Sequence, residues 1–235
     1  MRGFVLLVLT MTCGGCGRYG YDERGDEGGP GDDAWSGNDA AMTGDGGAGI
    51  DADPADCPAV CTLGCAGGTC RIDGDPETTT IVCPNGMPCL VTCLGDRMCQ
   101  TSVDCAGATR CDVECGGEDS CFFGVDCGSG DCSVTCSGVN ACGSVACNQA
   151  PTCTVLCSGA DSCQFQTSCS TRCDIDCTGV NSCTGSVNCS NACACDVVCA
   201  PPAGCPSPPG FVSCPAGCST ADGCTSAAAG CDFCP

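Results

Sequence analysis

Between residues 89 and 199 apolar and polar positions alternate within a phrase that recurs along the chain. The clearest copy, Cys132–Thr152, reads CSVTCSGVNACGSVACNQAPT; close versions start at Cys89, Cys111, Cys153 and Cys173, and a weaker one at Cys195. Each opens on Cys-x-Val-x-Cys, with Val91, Val113, Val134, Val155, Ile175 or Val197 at the centre. A period of two predicts a strand that turns Cys, Val and Cys to one face. The residues between them are Asp, Ser, Thr or Glu in most copies, which suits an outer face. Two residues past the second Cys stands Gly95, Gly117, Gly138, Gly159 or Gly179, predicted to supply a tight turn. Arg97, Asp119, Asn140, Asp161 and Asn181 follow, a column whose side chains can satisfy turn backbone groups. A second inward position lies two before the last Cys: Val103, Val125, Val145, Thr167 and Val187. Each copy thus predicts two strands and a third short one around its third Cys.

The starts at 89, 111, 132, 153, 173 and 195 give a period of 20 to 22 residues, the signature of a stacked array. Two or three short strands in about 21 residues fit one rung of a parallel β-solenoid. The predicted fold is therefore all-β, a disulfide-stapled parallel β-solenoid preceded by a disordered tether. Seven or eight rungs at about 4.8 Å each make a rod roughly 35–40 Å long. A helical reading fails, because Gly, Ser, Thr and β-branched residues recur throughout and no 3.6-residue apolar stripe appears.

Strand geometry also limits the disulfides. The two cysteines of an extended Cys-x-Val-x-Cys lie about 13 Å apart, whereas a disulfide needs Cα atoms within about 7 Å. Cys132 should not bond Cys136, nor Cys153 Cys157. Pairing must cross a turn, cross the rung or join neighbouring rungs, and these alternatives stay open. The regular body supplies Cys89, Cys93, Cys99, Cys105, Cys111, Cys115, Cys121, Cys127, Cys132, Cys136, Cys142, Cys147, Cys153, Cys157, Cys163, Cys169, Cys173, Cys177, Cys183 and Cys189 as disulfide cysteines with partners unassigned.

The flanks divide the rest. Residues 1–15 hold one Arg and an apolar run from Phe4 to Met11, an export signal too short to span a bilayer. Gly14-Gly15-Cys16 resembles the end of a bacterial lipoprotein lipobox, although Cys13 stands where that family prefers Leu. The resemblance implies lipidation of Cys16, and Gly17 after it implies outer-membrane sorting. Loss of Cys13 with the signal and use of Cys16 for lipid would leave 34 of the 36 cysteines, an even number that can pair completely. Residues 16–56 are rich in Gly, Asp and Ala without apolar periodicity, which predicts a disordered tether spanning roughly 35 Å. Asp51, Asp53 and Asp56 lack the Gly and distal Glu of a calcium loop and read as solvated charge. Residues 57–88, with Cys61, Cys65, Cys70 and Cys83 spread around a longer insert, predict an N-terminal capping repeat before the solenoid at 89–199. Residues 200–235 predict a Cys- and Pro-rich cap, in which the prolines of 201–209 blunt the open edge and Cys231-x-x-Cys234 forms a terminal staple.

Composition narrows function more than it reveals it. The chain has 36 Cys and 36 Gly in 235 residues but six Phe, two Tyr and one Trp, so covalent staples must stand in for a core of large side chains. Cysteine at this density implies an oxidising compartment. All seven basic residues are Arg, against 28 acidic ones, for a net charge of −21. That excludes nucleic acid as a partner, since neutralising phosphates needs basic patches. It likewise argues against attraction to anionic lipid.

Structural zinc favours C-x2-C pairs with His, whereas C-x3-C and C-x5-C dominate here and His is absent, so no metal or other cofactor is expected. Without His, and without a nucleophile elbow, catalysis has no evident machinery. Acidic pairs such as Glu118-Asp119 recur at turns and read as solvation. The column Thr92, Glu114, Thr135, Leu156, Asp176 and Val198 is no Thr array of the kind that binds ice.

Signal, Cys beside Gly, Gly/Asp/Ala tether and tandem CSVTCSGVNAC units together resemble Cys-rich surface lipoproteins of social soil bacteria, over nearly the whole chain. The resemblance implies a location and no established activity. The expectation is an exported cell-surface protein, held to the membrane by a lipid anchor and otherwise extracellular, structural or adhesive and without catalysis. The alternative is a carbohydrate- or protein-binding module on one face of the solenoid. A soft-metal-binding role stands behind both.

Overall fold

The computed structural model describes residues 57–76, 80–199, 212–215, 219–220, 223–224 and 234. All lie in the second of the two units into which the chain divides, Gly47–Pro235. The signal, Cys16, the tether and the Pro-rich stretch 201–209 fall outside the described residues.

In chain order the strands are β1 (Cys65–Ala66), β2 (Thr69–Asp73), β3 (Ile81–Val82), β4 (Pro88–Cys93), β5 (Val103–Asp104), β6 (Arg110–Cys115), β7 (Val125–Asp126), β8 (Asp131–Cys136) and β9 (Val145–Cys147). They continue as β10 (Thr152–Cys157), β11 (Gln166–Cys169), β12 (Arg172–Cys177), β13 (Ser186–Asn188), β14 (Ala194–Cys199), β15 (Val212–Ser213), β16 (Ser219–Thr220) and β17 (Gly223–Cys224). Even-numbered strands from β2 to β14 form one parallel sheet and odd-numbered strands from β3 to β15 a second. The chain therefore winds from one sheet to the other and back, and the described residues form a β-solenoid without a helix. Six strand-to-strand steps separate β2 from β14, which at about 4.8 Å each is roughly 29 Å, shorter than seven or eight rungs would give.

Register is set by the inward columns. Cys89, Cys111, Cys132, Cys153, Cys173 and Cys195 lie side by side, as do Val91, Val113, Val134, Val155, Ile175 and Val197. A slip of one residue would turn every Cys and Val to solvent. In β4 burial alternates along all six residues, and Cys89, Val91 and Cys93 are fully buried. Across the core Val103, Val125, Val145, Thr167 and Val187 stack in the second sheet. The core therefore consists of sulfur, Val, Ile and Ala, and the described aromatic residues lie outside it.

The third side of each rung is a turn, where a short strand was expected. Arg97, Asp119, Asn140, Asp161 and Asn181 have φ of 55° to 59°, and the third cysteines Cys99, Cys121, Cys142, Cys163 and Cys183 have φ of 51° to 55°. Two left-handed residues around one of ordinary φ cannot run as a strand. The turns still bond from rung to rung. The Asp119, Asn140 and Asp161 amides donate to the carbonyls of Val139, Ala160 and Val180 in the following rung, while Cys121, Cys142 and Cys163 donate to Met98, Ser120 and Ala141 in the preceding one. Asn and Asp tolerate the left-handed conformation best among residues with a side chain, which accounts for their prevalence in this column.

The glycine column has a different reason from the expected tight turn. None of Gly95, Gly117, Gly138, Gly159 and Gly179 has positive φ. A Cβ on Gly117, Gly138 or Gly159 would instead lie 2.0 Å from the carbonyl oxygen of the matching glycine one rung back. These glycines allow the corners to stack. There the Cys115 carbonyl accepts from both Ser137 and Gly138, and the Cys136 carbonyl from Ser158 and Gly159.

At the N-terminal end β1 turns back antiparallel on β2, covering the edge of the first sheet. Cys57–Cys65 and Cys61–Cys70 lock this hairpin. At the other end Cys234 bonds Cys193, 41 residues away, so Cys231-x-x-Cys234 is not a staple closed on itself. Cys214 bonds Cys224.

Candidate functional site: an aromatic patch beside a polar ladder

Every described cysteine is in a disulfide, and the regular ones follow two rules. The second Cys of a strand bonds the third Cys six residues on, across the glycine corner: Cys93–Cys99, Cys115–Cys121, Cys136–Cys142, Cys157–Cys163 and Cys177–Cys183. The last Cys of a rung bonds the first Cys of the next strand: Cys83–Cys89, Cys105–Cys111, Cys127–Cys132, Cys147–Cys153, Cys169–Cys173 and Cys189–Cys195. Cys132 and Cys136 thus bond in opposite directions, as the length of an extended strand requires. Each link crosses a corner between sides of the solenoid, and none of these pairs skips a rung.

The bonds also stack. The sulfurs of Cys83 and Cys105 lie 3.8 Å apart, and those of Cys127 and Cys147 3.5 Å. Trios such as Cys93, Cys115 and Cys121 hold their sulfurs within 4.8 Å of one another, a spacing at which three thiolates would grip a soft metal. Here they are disulfide sulfurs of neighbouring rungs, and a metal would need them reduced first.

Several carboxylates bond on the outer surface. Asp119 lies 3.9 Å from the Arg97 guanidinium and accepts from Asn140 Nδ2 at 3.2 Å. Asn140 Oδ1 in turn accepts from Gln164 Nε2 at 2.7 Å. Side chains of four successive rungs thereby form a ladder along the solenoid, Arg97–Asp119–Asn140–Gln164. This corrects the expectation that the column would satisfy its own turn: for Asp119 and Asn140 the partners are side chains of neighbouring rungs. Asp96 does bond backbone, accepting from the Glu118 amide of the following rung, and with Arg97 and Glu118 it lines a shallow depression. On the first sheet Asp112 holds Arg110 through three hydrogen bonds and keeps its guanidinium above its ordinary pKa. Near the C-terminal end burial, and then the neighbouring Asp174, push the Asp196 carboxyl up.

Beside the ladder lies a feature that strand periodicity misses. Phe122, Phe123 and Phe165 are the aromatic residues of the described chain, and they converge on one outer corner. Phe122 meets Phe123 edge-on at 5.6 Å between ring centroids and Phe165 at 5.7 Å. Phe123 is 68% exposed and Phe165 52%. The rung between them supplies Gly143 at the matching place. A Cβ there would run into the Phe122 carbonyl oxygen of the rung before, so backbone stacking demands the glycine, and its bare Cα also leaves room for the Phe165 ring, 2.9 Å from where a Cβ would lie. A signal for this existed in the sequence, because Phe123 and Phe165 each stand two residues before an inward residue, Val125 and Thr167. Gly143 and Gly185 occupy the same column before Val145 and Val187, where a Cβ would run into the Phe122 and Phe165 carbonyl oxygens of the preceding rung.

No protein-family model, no curated protein and no solved structure matches this chain.

Proposed function

We propose that this chain is an exported protein, held at the cell surface by a lipid on Cys16, whose stapled solenoid acts as a rigid structural or adhesive module without catalysis. The observation that carries this reading is the complete pairing of the described cysteines. A chain with this many buried disulfides is at home where thiols are oxidised, outside the cytoplasm. Corner bonds on every regular rung suit a rod that must keep its shape without a large apolar core. The resemblance of residues 1–16 to a lipoprotein signal supplies the anchor.

Detergent partition of the native protein tests the location. The native chain should enter the detergent phase without titratable thiols in the metal-free denatured state, and Cys16→Ser should leave that phase with no more than one, that of Cys13. A cytoplasmic chain with many reactive thiols would overturn the reading. The exposed aromatic corner favours the binding alternative in one respect, because apolar surface of this kind marks interaction sites.

A further inference from the structure

We infer that Phe122, Phe123 and Phe165, with the Asp119–Asn140–Gln164 ladder beside them, form a binding site for a neutral polysaccharide strand running along the solenoid. The inference deepens the adhesive reading by naming what the surface adheres to, and it rests on that reading. Three features point to this class of ligand.

The first is the placement of the rings. Aromatic side chains ordinarily go to the core, where each buries a large area. Here the core is Cys, Val, Ile and Ala, while the three described phenyl rings gather on the outside. A sugar ring presents a face of C–H groups that packs on a phenyl ring, and its hydroxyls lie around the edge.

The second is what flanks the rings. Gln164 precedes Phe165 and donates to Asn140, which donates to Asp119. Amides and a carboxylate fixed in a ladder offer preorganised donors and acceptors to hydroxyl groups. They carry no positive charge. With Arg97 and Arg110 already engaged by Asp119 and Asp112, and a net charge of −21, a polyanion is repelled. Stacking platforms for single-stranded nucleic acid place the same rings in a basic groove, which is absent from this corner.

The third is the repeat. Rung follows rung at about 4.8 Å, close to the length of one β-linked hexose unit. Phe122 and Phe123, Gly143, and Phe165 come from three consecutive rungs, on β6–β7, β8–β9 and β10–β11. A regular polymer laid along the axis would meet successive rungs in similar register, which a folded protein partner would not.

The test is affinity electrophoresis of the oxidised full-length chain carrying Cys16→Ser. Native gels would contain hydroxyethyl cellulose, xylan, galactomannan or mannan, with polygalacturonate as the anionic comparison. The inference expects retardation by at least one neutral polymer and none by polygalacturonate. Phe123→Ala/Phe165→Ala should weaken retardation at least tenfold, and Gln164→Ala several-fold. Thr154→Ala, on the outer face of the first sheet, should leave it unchanged. Should the double alanine variant lose its disulfides, Phe123→Leu/Phe165→Leu keeps apolar bulk without the ring face and should weaken binding by a similar factor. No retardation by any neutral polymer, retardation by polygalacturonate alone, or retardation indifferent to both Phe pairs overturns the inference. So does capture of a basic protein such as lysozyme through these rings with no glycan bound. A fully oxidised, detergent-partitioning chain that fails this test loses the ligand and keeps the surface role; a reduced cytoplasmic chain loses the role itself.

Discussion

Asn181 sits exposed on the outer turn at φ 55°, where a Cβ-bearing residue other than Asn or Asp pays about 1 kcal/mol. Asn181→Ala should therefore lower the denaturation midpoint by about that amount, while Asn181→Gly should stay within a few tenths of a kcal/mol. Equal losses from both would place the cost in a lost side-chain contact instead. Asp196 supplies the titration counterpart. Its carboxyl pKa is raised by burial and by Asp174, so on raising the pH the unfolded chain gives up its proton first. Stability from this group is complete below the unfolded pKa and falls as pH rises through the folded one. Asp196→Asn should raise stability at neutral pH by less than about 0.5 kcal/mol, because the site is partly solvated, and should lose that advantage in acid. Matched urea titrations at both pH values check the sign. At this scale the sequence was readable where one requirement dominates: Val91, Val113 and Val134 face inward because period-two burial leaves no other choice. The Asn/Asp column carried two signals, turn chemistry and left-handed φ, and only three-dimensional stacking shows that side chains such as Asp119 and Asn140 turn to the neighbouring rungs.

At the scale of the rung, two strands and a left-handed turn are closed by disulfides at the corners. Gly138 shows how tightly the corners stack, since a Cβ would lie 2.0 Å from the Gly117 carbonyl oxygen. Both partners are backbone, so neither can swing aside. Gly138→Ala should cost about 3 kcal/mol or more, measured as a drop in midpoint under oxidising denaturation. Tolerance of that alanine would mean that the rungs stand further apart than the approach of Gly138 to the Gly117 carbonyl implies. The sequence marked these glycines and suggested a reason, turn conformation, that their φ values do not support. Close approach between rungs has no local signature, because the atom that forbids a side chain belongs to a residue some 20 positions earlier. The short third strand failed for a related reason: the Cys at its centre has the spacing of a strand residue, and its φ is set by the need to reach the second Cys across the corner.

At the scale of the molecule, the described rungs form a stack in which each is stapled to itself and to its sequence neighbour. Loops of about six residues each confine the unfolded chain by about 2 kcal/mol, so stability builds by many small local contributions. A solenoid of this kind needs little apolar bulk, which explains how a chain so poor in aromatics holds an extended core. The architecture was legible from the repeat period and the inward columns. The aromatic corner left only a column of Phe and Gly in the sequence, because its formation depends on a Phe, a Gly and a second Phe from three rungs meeting on one outer edge. Pairing was legible only as an exclusion, since extended geometry rules out Cys132 with Cys136 without choosing among the remaining partners. The disulfide map of the oxidised protein, by partial reduction, differential alkylation and fragmentation mass spectrometry, tests the central claim most directly. The stapled-rung account predicts Cys115–Cys121, Cys136–Cys142 and Cys157–Cys163 within rungs and Cys105–Cys111, Cys127–Cys132 and Cys147–Cys153 between consecutive strands; a Cys132–Cys136 bond, or a body rich in free thiols, would contradict it.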